Sequence, residues 1–85
     1  MAWIPSLMQK LTEGQNQIAV KGETVRQVID ALEERYPGFK DRIVEKDRIK
    51  TEIAVAIDGE VVTAGLRARV SPDSEVHFLP ALAGG

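Results

Sequence analysis

Eighty-five residues with 11 Lys or Arg, 13 Asp or Glu and one His give a formal charge of −2 at neutral pH, the size and balance of one small globular domain. A chain this short buries roughly 60–65% of its unfolded surface, which excludes a second domain and weighs against a deep, self-sufficient active site. With no Cys in the sequence, a disulfide framework, a thiolate nucleophile, Cys-ligated zinc and an iron–sulfur cluster are excluded as well.

The longest apolar runs, such as 53–57, hold about five residues where a membrane span needs about 20, and the first residues lack a basic-then-apolar signal pattern. The slightly acidic balance offers no clustered cations for nucleic acid. The expectation is a cytoplasmic domain whose partners are proteins or small molecules, with no nucleic acid and no membrane.

In chain order, residues 1–5 read as a very short strand stopped by Pro5. Gln17 to Lys21 alternates Ile18 and Val20 against Gln17, Ala19 and Lys21, the period of a half-buried strand, and Glu13-Gly14 is a turn signal that joins the two as a hairpin. Thr24 followed three residues later by Gln27 is a capping-box pattern. It opens a helix whose stripe is Val25, Val28, Ile29 and Leu32, with Arg26, Gln27, Asp30, Glu33 and Glu34 toward water. Pro37-Gly38 stops that helix. Phe39, Ile43 and Val44 suggest a further helical turn, followed by a charged loop over 45–50.

Glu52 to Asp58 predicts a strand with Ile53, Val55 and Ile57 toward the core and Ala54 and Ala56 opposite. Asp58-Gly59 signals a tight hairpin returning through Glu60, Val61 and Val62. Leu66, Ala68 and Val70 alternate with Arg67 and Arg69 as a short strand, and Ser71-Pro72-Asp73-Ser74 turns the chain into a last strand over 75–79 with Val76 and Phe78 inward. One long helix among short strands predicts an α+β domain, a mixed sheet packed on one main helix. A β-grasp closes it with the right-handed crossover: first hairpin, crossover helix, then a strand parallel to the first.

Candidate chemistry is sparse. His77 is the single imidazole and lies between core positions, so it reads as a surface or partner-contact side chain on the outer face and not as a ligand or catalyst. No carboxylate pair sits where burial would split two pKa values, and neither a Walker pattern nor Gly-x-Gly-x-x-Gly occurs. No catalytic residue and no metal ligand is assigned. Arg67 and Arg69 form either a solvated face or a partner-docking pair.

The ending Phe78, Leu79, Pro80, Ala81, Leu82, Ala83, Gly84, Gly85 is apolar where a frayed end is usually polar. Pro80 ends pairing and the two glycines strip the stub of side chains, so residues 1–79 read as the folded body and 80–85 as a flexible, thin arm suited to a narrow cleft.

The Pro-Ala-Leu-Ala-Gly-Gly ending, Ile4-Pro5, Thr24-Val25, Leu32-Glu33 with Tyr36-Pro37-Gly38, and Asp58-Gly59 together resemble the ubiquitin-like sulfur-carrier family. That family includes the molybdopterin synthase small subunit, the thiazole-pathway carrier and the carrier for cysteine biosynthesis, and the tail is most similar to the cysteine branch, with molybdopterin next. The first strand departs from the family pattern in being very short.

The resemblance implies a protein cosubstrate rather than an enzyme, with no bound cofactor. A ubiquitin-activating-enzyme-like adenylyltransferase uses ATP to convert the Gly85 carboxylate to an acyl-adenylate, and a sulfur donor displaces AMP to leave a thiocarboxylate. Gly84 gives access, Leu79, Pro80, Ala81, Leu82 and Ala83 guide the arm, and Arg67 and Arg69 are added as partner contacts. The acceptor is a synthase, either a pyridoxal-phosphate cysteine synthase or the molybdopterin synthase large subunit. Two alternatives remain open from the residues: a modifier joined to lysines through Gly85, and a non-covalent β-grasp adaptor.

Overall fold

The capping spacing at Thr24 and Gln27 produces the helix it predicts. In the computed structural model, described over residues 1–81, α1 spans Val25–Arg35. The Gln27 N–H donates to Thr24 Oγ1 at 3.2 Å, and Gln27 Oε1 accepts from the Glu23 N–H at 2.7 Å, so two otherwise orphaned donors are satisfied. Val25, Val28, Ile29 and Leu32 are at most 2% exposed. Gly38, at φ 101°, turns the chain into α2 (Phe39–Ile43). Glu33, expected to face water, is half-buried instead: its carboxylate accepts from the Gly38 N–H at 3.1 Å and the Lys40 N–H at 2.8 Å and ties the two helices together.

The strands are β1 (Ala2–Trp3), β2 (Gln17–Ile18), β3 (Val44–Glu45), β4 (Arg48–Ile49), β5 (Ile53–Ile57), β6 (Glu60–Val61) and β7 (Val76–Pro80). The main sheet has the order β2-β1-β7-β5-β6, and β3 pairs with β4 alone. β1 and β7 run parallel and every other pairing is antiparallel. The parallel partner of the first strand is thus the last one, and the strand that follows α1 along the main sheet, β5, pairs antiparallel with β7. The helices cover one sheet face, where Phe39 meets Phe78 edge-on at 5.8 Å and 75°. The mixed sheet packed on one main helix is the expected α+β arrangement. No helix among the described residues is long and apolar enough to cross a membrane.

β1 has two residues, but its bonding extends beyond them. Met1 C=O accepts from Val76 N–H at 2.8 Å, and Ile4 N–H donates to Asn16 C=O at 2.9 Å. Between the first two strands Ser6–Thr12 forms a 3₁₀ helix that buries Met8 and Thr12, and Glu13 (φ 56°) with Gly14 (φ 83°) makes the expected turn.

Three further expectations are corrected. The charged stretch 45–50 is not a loop: Lys46 (φ 51°) and Asp47 (φ 62°) take the left-handed pair of a two-residue hairpin turn joining β3 to β4. The alternating stretch from Leu66 to Val70 is not a strand. Gly65–Arg67 is a 3₁₀ turn, and the following residues strap the start of α1: Ala68 C=O accepts from Val25 N–H at 3.0 Å and Val70 N–H donates to Glu23 C=O at 2.9 Å. Only Arg69 makes a β-bridge, to Thr24. Finally, the last strand passes the proline. Pro80 lies opposite Ile53, and the Ala81 N–H donates to Glu52 C=O at 2.8 Å.

Candidate functional site

Alternation along β7 sends Val76 and Phe78 into the core and His77 and Leu79 out of the opposite face. The registers align one outward residue from each strand, so that Gln17, Trp3, His77, Ala56 and Val61 cross the sheet in a row, and Leu79 pairs with Ala54 in the next row. The Trp3 and His77 rings stack at 5.2 Å and 5°, and the indole N–H donates to Glu75 Oε1 at 2.9 Å, which holds the indole on this face. Ala56 is buried between its neighbours, while Leu79 and Val61 are 38% and 65% exposed. The result is an apolar sheet face whose central strand leads directly into the end of the chain.

Trp3 and Val61 belong to this face and were not singled out from the sequence. Trp3 stands between buried Ala2 and Ile4, so the alternation rule applied to three residues places a large aromatic outward. His77 is half-buried on the outer face against Trp3, as expected.

Leu79, expected as the last residue of the body, and Pro80, the first of the arm, are exposed, and Ala81 is half-buried at the last hydrogen bond among the described residues. Leu82, Ala83, Gly84 and Gly85, with the attachment and guiding roles assigned to them, lie outside the described residues. Arg67 and Arg69 do not form a pair on one strand side. Arg67 lines a groove with Arg48 and Lys50, whereas Arg69 lines a separate depression beside Val61 and Thr63.

Among the described residues no cluster of three His, Asp or Glu side chains is placed to hold a metal ion. The one perturbed pair among the described residues is Arg26 and Asp47, 2.7 Å apart at the surface. Its hydrogen bond and then its charge hold the Asp47 carboxyl below the usual range and raise Arg26. Arginine does not release its proton near neutrality, so this is a fastening of the β3–β4 turn to α1 and not an acid–base couple. What the described residues offer is an apolar sheet face beside the exposed Leu79 and Pro80.

Comparison with known proteins agrees with that geometry. The ThiS family matches residues 5–85. The sulfur carrier protein CysO of Mycobacterium tuberculosis is 29% identical over 87 residues, covering 96% of this chain and 94% of that one. Among solved structures, a chain of the Amycolatopsis orientalis BexX/CysO complex superposes with a TM-score of 0.91 at 35% identity, covering 99% of this chain and 97% of that one. Small archaeal modifier protein 1 of Methanosarcina acetivorans gives 0.81 at 24% identity, covering 99% and 93%, a likeness of fold. A chain with this sheet, this outward face and this ending, matched along nearly its whole length, belongs to the ThiS family of ubiquitin-like sulfur carriers.

Proposed function

We propose that this chain carries sulfur as a thiocarboxylate on Gly85 and delivers it in cysteine biosynthesis. It is a carrier and not a catalyst. The observation that carries the reading is the path of β7, which is anchored in the core by Phe78, exposes Leu79 and Pro80 and is followed at Ala81 by the last hydrogen bond among the described residues. An extended residue spans at most about 3.5 Å, so the four residues 82–85 bring the carboxyl group up to about 14 Å from Ala81. That reach lets an enzyme close around the end while the sheet face rests on its surface.

The chemistry requires an activating partner. A carboxylate is a poor electrophile, so a carboxylate oxygen of Gly85 attacks the α-phosphorus of ATP on an adenylyltransferase and pyrophosphate leaves. A sulfur nucleophile then adds to the acyl carbon and AMP departs with the bonding electron pair, leaving the thiocarboxylate. ATP and the sulfur donor belong to that partner. The sulfur next attacks an electrophilic carbon held by an acceptor synthase. Likeness to a chain of a solved BexX/CysO complex supports docking on a second protein.

The acceptor is tested by mixing the thiocarboxylate form with a pyridoxal-phosphate cysteine synthase and its activated serine substrate. The cysteine reading expects a cysteine joined to Gly85. A product on a molybdopterin synthase large subunit with no cysteine adduct moves the carrier to that branch. An isopeptide bond to a lysine, formed without sulfur transfer, supports the modifier instead.

A further inference from the structure

The groove that holds Arg67 has a composition unlike the rest of the chain. It is open, about 800 Å³, and runs between the β3–β4 hairpin, the first half of β5 and the Gly65–Arg67 turn. Four cations line it, Arg26, Arg48, Lys50 and Arg67, against one carboxylate, Asp47, which Arg26 already holds at 2.7 Å. Arg48, Lys50 and Arg67 have no ion-pair partner among the described residues. This occurs on a chain of net charge −2. Asp58 and Glu75 are gathered at the far end of β5, where the Glu75 N–H donates to Asp58 Oδ1.

Beneath the cations the floor is apolar, with buried Leu66 and half-buried Ile53 and Val62. β6 pairs with only Ala56 and Ile57, so the start of β5 at Ile53 and Ala54 faces the groove beyond the end of the edge strand. The same two residues pair on their other side with Pro80 and Leu79. One strand, β5, therefore separates the groove from the base of the C-terminal arm.

We propose that this groove receives an acidic, extended segment of a partner protein, whose carboxylates meet Arg48, Lys50 and Arg67 and whose backbone and apolar atoms cover the floor. A bare anion satisfies the cations but leaves the exposed parts of Ile53 and Val62 in water, and three unpaired cations on an acidic chain make no track for a nucleic-acid backbone. A peptide segment satisfies both parts. Unpaired surface cations of this sort act mainly on encounter and orientation, and salt screens them. The inference deepens the carrier reading by naming the surface chemistry of its partner, and rests on that reading only for the partner's identity.

The test uses the full chain labelled with ¹⁵N and titrated with a hexaglutamate peptide, with hexalysine and inorganic phosphate as comparison arms. Hexaglutamate is expected to move the amides of 48–51 and 62–67, and Arg48→Glu with Lys50→Glu and Arg67→Glu to weaken binding at least tenfold while the other amides keep their positions. If the triple variant does not fold, Arg67→Gln alone is expected to lower the affinity severalfold. Phosphate moving the same amides as strongly, or hexaglutamate shifts scattered over the surface, overturns the proposal. In a separate arm, the rate of adenylation by the activating enzyme is expected to fall more steeply with salt for the native chain than for the charge-reversed one. Equal slopes count against the groove. Absence of adenylation at any salt is a failure of the carrier reading, and the peptide titration still decides the groove.

Discussion

Val76 and Phe78 on β7 are each 1% exposed, while Leu79, the next residue along, is 38% exposed and the strand continues through Pro80. The first half of this strand is fastened from both sides, by β1 in parallel and β5 antiparallel, with Phe39 edge-on against Phe78. The second half has β5 on one side only, since β1 pairs no further than His77. One strand is thus packed at its start and exposed at its end, and substitutions in the two halves test whether stability and presentation separate along it.

The largest effect is expected at the chain end. Deleting Gly85, or replacing Gly84 by Trp, removes adenylation completely in a pyrophosphate-release assay while the melting temperature stays unchanged, because the packed core among the described residues closes at Phe78. A drop in melting temperature for the Gly85 deletion would make the end structural instead.

The inner half reverses that pattern. Phe78→Ala removes the aromatic partner of Phe39 and leaves a cavity, at a cost of about 3–5 kcal/mol that urea denaturation reads directly. For a small domain this is a large share of the total, roughly 5–15 kcal/mol. A cost under about 1 kcal/mol, near that of a volume-conserving swap, would show that the site collapses and that Phe78 is not the anchor of the arm.

Alanine at both Leu79 and Leu82 is expected to weaken binding to the activating enzyme by about 1–4 kcal/mol, the range of hydrophobic interface truncations, which do not add strictly. Calorimetric titration checks it. Unchanged affinity takes both leucines out of the interface.

Smallest is the surface pair beyond the sheet. Asp47 titrates below its ordinary value beside Arg26, so its contribution is present above the unfolded carboxylate pKa of about 3.9 and disappears as pH falls through the lowered folded value. Both side chains face solvent at 40% and 74% exposure. Stability curves of the native chain and Asp47→Asn are therefore expected to converge in acid and to differ only slightly at neutral pH. A large neutral-pH loss would assign the β3–β4 hairpin a greater structural share than surface pairs usually have.

The parts of this architecture that were readable from sequence are those where one residue type has one physical job. Thr24 with Gln27 caps α1, Gly38 supplies the positive φ that ends the helical segment, and Asp58-Gly59 makes the hairpin it signals, at φ 51° and 89°. Lys46-Asp47 adopts the same left-handed pair without glycine. Pairing of the flanking strands and the contact of Asp47 with Arg26 accompany that turn, and both lie outside a local reading.

Alternation over 66–70 misled because Leu66 and Ala68 are buried by the turn at Gly65 and by contact with α1, not by a sheet. The ending of the arm was legible as composition. The adjoining sheet face was not, since Trp3, Val61 and Leu79 come onto one face only through strand registers between residues far apart in the chain. Arg48, Lys50 and Arg67 come together in the same way, across a hairpin that was read as a loop.

The most direct measurement is the intact mass of the protein after incubation with its adenylyltransferase, ATP and sulfide. The account predicts a gain equal to one oxygen replaced by one sulfur, located on the C-terminal fragment and absent from the Gly85 deletion. An unchanged mass with active cognate enzyme, or a sulfur gain that persists without Gly85, would contradict it.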